Sequence, residues 1–158
     1  MSTHTISLLV ENHAGALSRI ANLFSNRGYN IASLTVAETD DTSVSRMTIR
    51  VGGDERVLEQ VVKQLNRLVD VIKVIDFVDE SIIDREILLV RVDASKSNRH
   101  EIIALASLYG AKVAAVSPAA LTLELTAEGR TIDEFVAIVK PYGIKELARS
   151  GTIALARK

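Results

Sequence analysis

The chain has 158 residues, 47% hydrophobic and 25% charged, a balance that excludes a disordered polymer and predicts a packed core in one ordinary domain or two small ones. Nineteen Lys and Arg against twenty Asp and Glu leave a formal charge of -1, which lacks the positive field that non-specific nucleic-acid binding uses, so no nucleic-acid partner is expected. Cysteine is absent, which excludes disulfides, thiolate nucleophiles and Cys-ligated metals and fits a reducing cytoplasm.

"TISLLVE" (5–11) is a short β-rich run without the basic flank or length of a signal peptide, and no apolar stretch approaches the ~20 residues of a membrane span. A chain that is neither exported nor membrane-bound is therefore expected. In "ENHAGALSRIANLFSNRGYN" (11–30) a polar, turn-prone loop leads into a helix with Leu17, Ile20, Ala21 and Phe24 on one stripe, closed by Gly28 as C-cap. "YNIASLTVAET" then reads as a strand and "TDDTS" as a turn. "VSRMTIRV" alternates, with Met47, Ile49 and Val51 on one face and Arg46, Thr48 and Arg50 on the other. "GGDERVLEQVVKQLNRL" opens with an Asp near the N-cap and carries the stripe Leu58, Val61, Val62 and Leu65, before "VDVIKVIDFV" supplies a strand.

The same order recurs from residue 84. "REILLVRV" is a strand, "NRHEIIALASLYG" a helix ending at Gly110, "AKVAAVS" and "LTLELTA" strands, and "TIDEFVAIVKPYG" a helix interrupted near Pro141. "IKELARSGTIALAR" closes as one strand or a short pair. "LFSNRGYNIASL" aligns with "LASLYGAKVAAV", so that Gly28 falls on Gly110 and Ile31 on Val113. Two βαββαβ units of about 75 residues follow, an α+β chain of two ferredoxin-like domains in tandem at 1–78 and 84–158, with the boundary in "DESIID" (79–84).

The first strand-to-helix loop is the leading candidate for a binding site. The opening helix amides near Gly15 to Leu17 lack intrahelical partners and lie at the positive end of the helix dipole, which suits a carboxylate. Gly15 has no Cβ to hold a ligand off the backbone, and Asn12 offers an amide; the same two residues also serve as plain cap and turn formers, and the residues alone leave both readings open. His4, His13 and His100 have no metal-ligand spacing, and Asp40 and Asp41 read as turn formers, so no metal site is expected. No phosphate loop, dinucleotide fingerprint or nucleophile–base spacing occurs, so no catalytic residues are expected and a sensor fits better than a catalyst. A free-standing enzyme on a ferredoxin-like scaffold lacks clustered acids, bases or ligands, and a transcriptional regulator lacks a DNA-binding element.

"NHAGALSRIANLFSNRGYNIASLTV", "SRMTI", "DREILLVRV" and "ARSGTIALAR", in this order across the full length, resemble the small, regulatory subunits of acetolactate synthase (acetohydroxyacid synthase), the first half resembling an ACT domain. The resemblance implies a non-catalytic chain that activates a large subunit and makes it sensitive to valine feedback in branched-chain amino-acid biosynthesis. Thiamine diphosphate, magnesium and FAD would reside on that large subunit and no cofactor on this chain. It also implies a cytoplasmic homodimer through the ACT domains, with the effector between the first loop of one protomer, Asn12, His13, Ala14, Gly15, Ala16 and Leu17, and the start of the second strand of the other, Asn30 and Ile31. Ala14 stands where the wider ACT pattern often has proline. A free-standing ACT-type amino-acid sensor acting on another enzyme is the alternative.

Overall fold

The computed structural model describes residues 3–158. Two compact units are present, one ending at Ile83 and taking in Thr152–Lys158, the other spanning Asp84–Gly151.

In the first unit the order is β1 (Thr3–Glu11), α1 (Ala16–Arg27), β2 (Asn30–Glu38), β3 (Val44–Gly52), α2 (Glu55–Asn66) and β4 (Val71–Asp76), and the antiparallel sheet runs β2-β3-β1-β4. Alternation fixes the register: Ile6, Leu8 and Val10 of β1 and Met47, Ile49 and Val51 of β3 are all buried, with Ile6 opposite Ile49 and Leu8 opposite Met47. Ile20 and Phe24 of α1 and Leu58, Val61 and Leu65 of α2 complete this core. The α1 stripe is rotated from the expected one. Ala16, Ile20 and Phe24 are buried at four-residue spacing, while Leu17 is 46% exposed, because the helix begins at Ala16 and turns its neighbour about 100° away from the sheet. Gly28 adopts φ 67° as the C-cap, and Asp54 caps α2 by accepting from the Val57 amide at 3.0 Å.

The second unit contains most of β5 (Ile82–Asp93), α3 (Arg99–Leu108), β6 (Lys112–Val116), β7 (Ala120–Ala127), α4 (Gly129–Val139), a 3-10 turn at Lys140–Tyr142 around Pro141, and β8 (Ile144–Arg149), in the sheet order β6-β7-β5-β8. Leu88, Val90 and Val92 meet Leu121, Leu123 and Leu125 beneath Ile102, Ile132 and Phe135. The "IKELARSGTIALAR" segment forms two strands, β8 and β9 (Ile153–Ala156), and β9 also pairs with β5. Thr152–Lys158 cluster with the first unit, where the Arg157 amide donates to Ser81 O at 2.8 Å.

The repeat extends to backbone detail. Gly28 and Gly110 are both left-handed, at φ 67° and 73°, and the next amide in each case reaches back to the preceding helix, Tyr29 to Phe24 O at 3.1 Å and Ala111 to Ala106 O at 2.8 Å. Strand irregularities also match, between Ile31 and Ser33 in β2 and between Val113 and Ala115 in β6.

Candidate effector site

The loop Asn12–Gly15 joins β1 to α1. Gly15 takes φ 92°, a conformation that L side chains avoid, while a Cβ there would meet nothing nearer than the Arg19 guanidinium at 3.7 Å. Backbone geometry rather than crowding thus demands glycine, and the space beside it is open. No side chain caps α1. The Ala16 amide donates to His13 O at 3.3 Å, which leaves the Leu17 and Ser18 amides as the first-turn donors without an intrahelical partner.

Asn12 is therefore not a helix cap. Its amide nitrogen donates across to the β2–β3 hairpin, to Thr42 O at 2.9 Å and Glu38 Oε1 at 3.1 Å, and its backbone amide donates to Ser43 O at 2.8 Å. Both Nδ2 hydrogens are used, so Oδ1 is the part of this side chain able to accept from a ligand.

His13 turns the other way. Its Nε2 lies 2.7 Å from Asp70 Oδ1 and 3.3 Å from Glu11 Oε2, and Nδ1 lies 3.0 Å from Ala14 O. Asp70, 2% exposed, also holds Arg19 at 2.5 Å, and its carbonyl accepts the Glu11 amide at 2.8 Å. The backbone carbonyl of Ala14, and after it the Asp70 and Glu11 carboxylates, raise the His13 pKa above its ordinary 6.5. The Arg19 hydrogen bond lowers the Asp70 pKa below 3.8, against the opposing effect of burial. The ligand-capable atoms of Glu11, His13 and Asp70 all lie within 4.8 Å of one another.

The structure thus groups Asn12, His13, Ala14, Gly15, Ala16 and Leu17 in one loop and helix start, with Ala16 buried and Leu17 open. Asn30 and Ile31 are elsewhere in the same chain, at the far end of β2 opposite Gly52 and Val51; nine residues of strand put about 26 Å between Asn30 and Glu38. Ile31 packs against the first core. Sequence reasoning missed Glu38, Arg19 and Asp70. For Asp70 a signal existed, since an acid between Val69 and Val71 at the mouth of an apolar strand needs a partner.

Residues 6–73 match the family described as "AHAS small subunit-like ACT domain" and residues 85–158 that described as "Small subunit of acetolactate synthase". The chain belongs to the acetolactate synthase small-subunit family. It is 47% identical over 156 residues to a probable acetolactate synthase small subunit of Methanothermobacter thermautotrophicus, covering 98% of this chain and 93% of that one. It is 45% identical over 153 residues to the acetolactate synthase isozyme 3 small subunit of Escherichia coli, covering 96% and 94%. The crystal structure of an acetolactate synthase small subunit from Thermotoga maritima superposes with a TM-score of 0.91 at 33% identity over 100% of this chain and 99% of that one. The family's small subunits are regulatory and non-catalytic, and the expected tandem α+β architecture with an N-terminal ACT domain is borne out. Among the described residues no helix is long and apolar enough to cross a membrane.

Proposed function

We propose that this small subunit activates the thiamine-diphosphate-dependent catalytic subunit of acetolactate synthase and confers valine feedback on it, as a cytoplasmic homodimer paired through β2. The observation that carries this reading is the placement of β2. It is an edge strand with Asn30 at one end and the Asn12 loop tied to Glu38 at the other. Antiparallel pairing of two such strands about a two-fold axis at Leu34, the midpoint of Asn30–Glu38, sets the partner's Asn30 opposite Glu38 and the partner's Ile31 opposite Ala37. An edge that would otherwise expose unpaired backbone groups is satisfied, and the exposed Leu34 and Val36 gain cover.

A zwitterion with an apolar side chain suits the resulting cleft. Its carboxylate meets the Leu17 and Ser18 amides at the positive end of α1, its ammonium meets Asn12 Oδ1 or the partner's Asn30, and its isopropyl group lies on Leu17 or the partner's Ile31. The domains at 1–78 and 84–158 then divide the work, effector binding and dimerisation resting on the first.

Valine titration of acetolactate synthase reconstituted with Gly15→Asp tests the reading. The introduced carboxylate occupies the anion position at the helix start, where a favourable contact is worth up to ~2 kcal/mol. Half-inhibition should need about tenfold more valine or more, with activation of the catalytic subunit retained. An inhibition curve identical to wild type would remove this loop as the effector site.

A further inference from the structure

We propose that Glu11, His13 and Asp70 form a binding site for one divalent transition cation of the zinc class. His13 Nδ1 faces Ala14 O at 3.0 Å, an atom that can only accept, so Nδ1 keeps its proton and Nε2, 2.7 Å from Asp70 Oδ1 and 3.3 Å from Glu11 Oε2, is the nitrogen that offers a lone pair once its own proton leaves. In the metal-free chain a proton on Nε2 bridges the two carboxylates; a divalent cation that displaces it meets three lone-pair donors converging on one point. Tetrahedral zinc with bonds of about 2.0–2.1 Å places its ligand atoms about 3.3 Å apart, so small side-chain shifts accommodate a set already within 4.8 Å.

The surroundings are those of a metal centre. A backbone carbonyl fixes the histidine tautomer, and Arg19 holds Asp70 Oδ2 at 2.5 Å so that Oδ1 is left for the site. Asp70 is buried at 2% exposure, whereas the His13 and Glu11 side chains are 43% and 55% exposed, which opens the site to a hydrated ion and leaves room for water as further ligand. Two carboxylates balance the ion's charge. The Glu11 N–H donates a main-chain hydrogen bond to Asp70 O at 2.8 Å, which ties the two contributing segments together. Spacing along the sequence could not show this site, because Asp70 enters from the turn before β4.

Direct binding of Co2+ to the chelator-treated, untagged full chain is the test, independent of the valine reading. One Co2+ per chain with a visible d–d band, displaced by Zn2+, is expected. His13→Gln and Glu11→Gln, both in exposed positions, should weaken binding at least tenfold while leaving the melting curve of the metal-free chain cooperative, and His100→Gln should leave binding unchanged. Absence of a band in the folded wild-type chain overturns the proposal, as does a band kept in His13→Gln or lost in His100→Gln.

Discussion

At Asp70 and His13 two opposite shifts meet on one contact. The raised His13 pKa contributes stability that is complete below pH 6.5 and is lost as pH rises through the folded value. The lowered Asp70 pKa contributes stability that is present above pH 3.8 and is lost as pH falls through its folded value. The tether between the first loop and the β4 turn is therefore strongest between pH 3.8 and 6.5. In chelator-containing buffer the Tm of wild type should decline from pH 6 to about pH 8 more than that of His13→Gln. Parallel curves would show that the contact contributes nothing to folding. At this scale the sequence disclosed the glycine and the asparagine but only half of what they do. Gly15 was legible because its loop position needs a freedom that its composition announces, whereas the partners of Asn12 and His13 come from Glu38, Thr42 and Asp70, distant residues that no local pattern links to the loop.

Among the elements, the inward face of β3 was the most legible, since Met47, Ile49 and Val51 alternate and are buried, although Thr48 of the opposite face is buried as well; in β5 apolar character alone misleads, because Ile87 and Leu89 are exposed while Glu86 is buried. The α1 stripe was displaced by one position at its start, because apolar spacing alone cannot tell whether a helix face begins at Ala16 or Leu17. Element β2 carries a sharper expectation. Leu34→Asp places a carboxylate at the proposed two-fold axis, where each copy faces its own image, so light scattering at micromolar concentration should show the variant shifted from dimer to monomer. A wild-type-like dimer would place the pairing surface elsewhere. On β8, Arg149 lies 2.7 Å from Glu86 and 2.6 Å from Asp133, with Glu86 only 3% exposed. Arg149→Ala removes a partner of a buried carboxylate and should cost about 3 kcal/mol in urea unfolding of the second unit. A cost below about 1 kcal/mol would mean that the pair behaves as a surface bridge.

At the scale of the whole molecule, the two units repeat one plan closely enough that matching glycines and matching strand irregularities recur, yet their chain boundaries are not equivalent. The sequence repeat revealed the plan. A four-residue strand such as β9 carries too little periodicity to declare its partner, and in the structure it pairs with β5 while Thr152–Lys158 cluster with the first unit. Thr152 and Ala154 are 2% and 4% exposed, so removal of residues 152–158 should destabilise the first unit by on the order of 1 kcal/mol, a fall in Tm of about 4–8 °C for a domain of this size. An unchanged Tm would show that the segment lies on that unit without taking part in its cooperative unfolding.

The same return of the chain sets an order of events during synthesis. Residues 3–83 leave the ribosome first, but Thr152–Lys158, which cluster with them, follow only after all of residues 84–151. Until residues 152–158 are made, the nascent first unit can form its sheet only without that segment, with Ser81 O still lacking the Arg157 amide. A chain stopped short of Thr152 would hold strands β5 to β8 complete beside a first unit that lacks its returning segment.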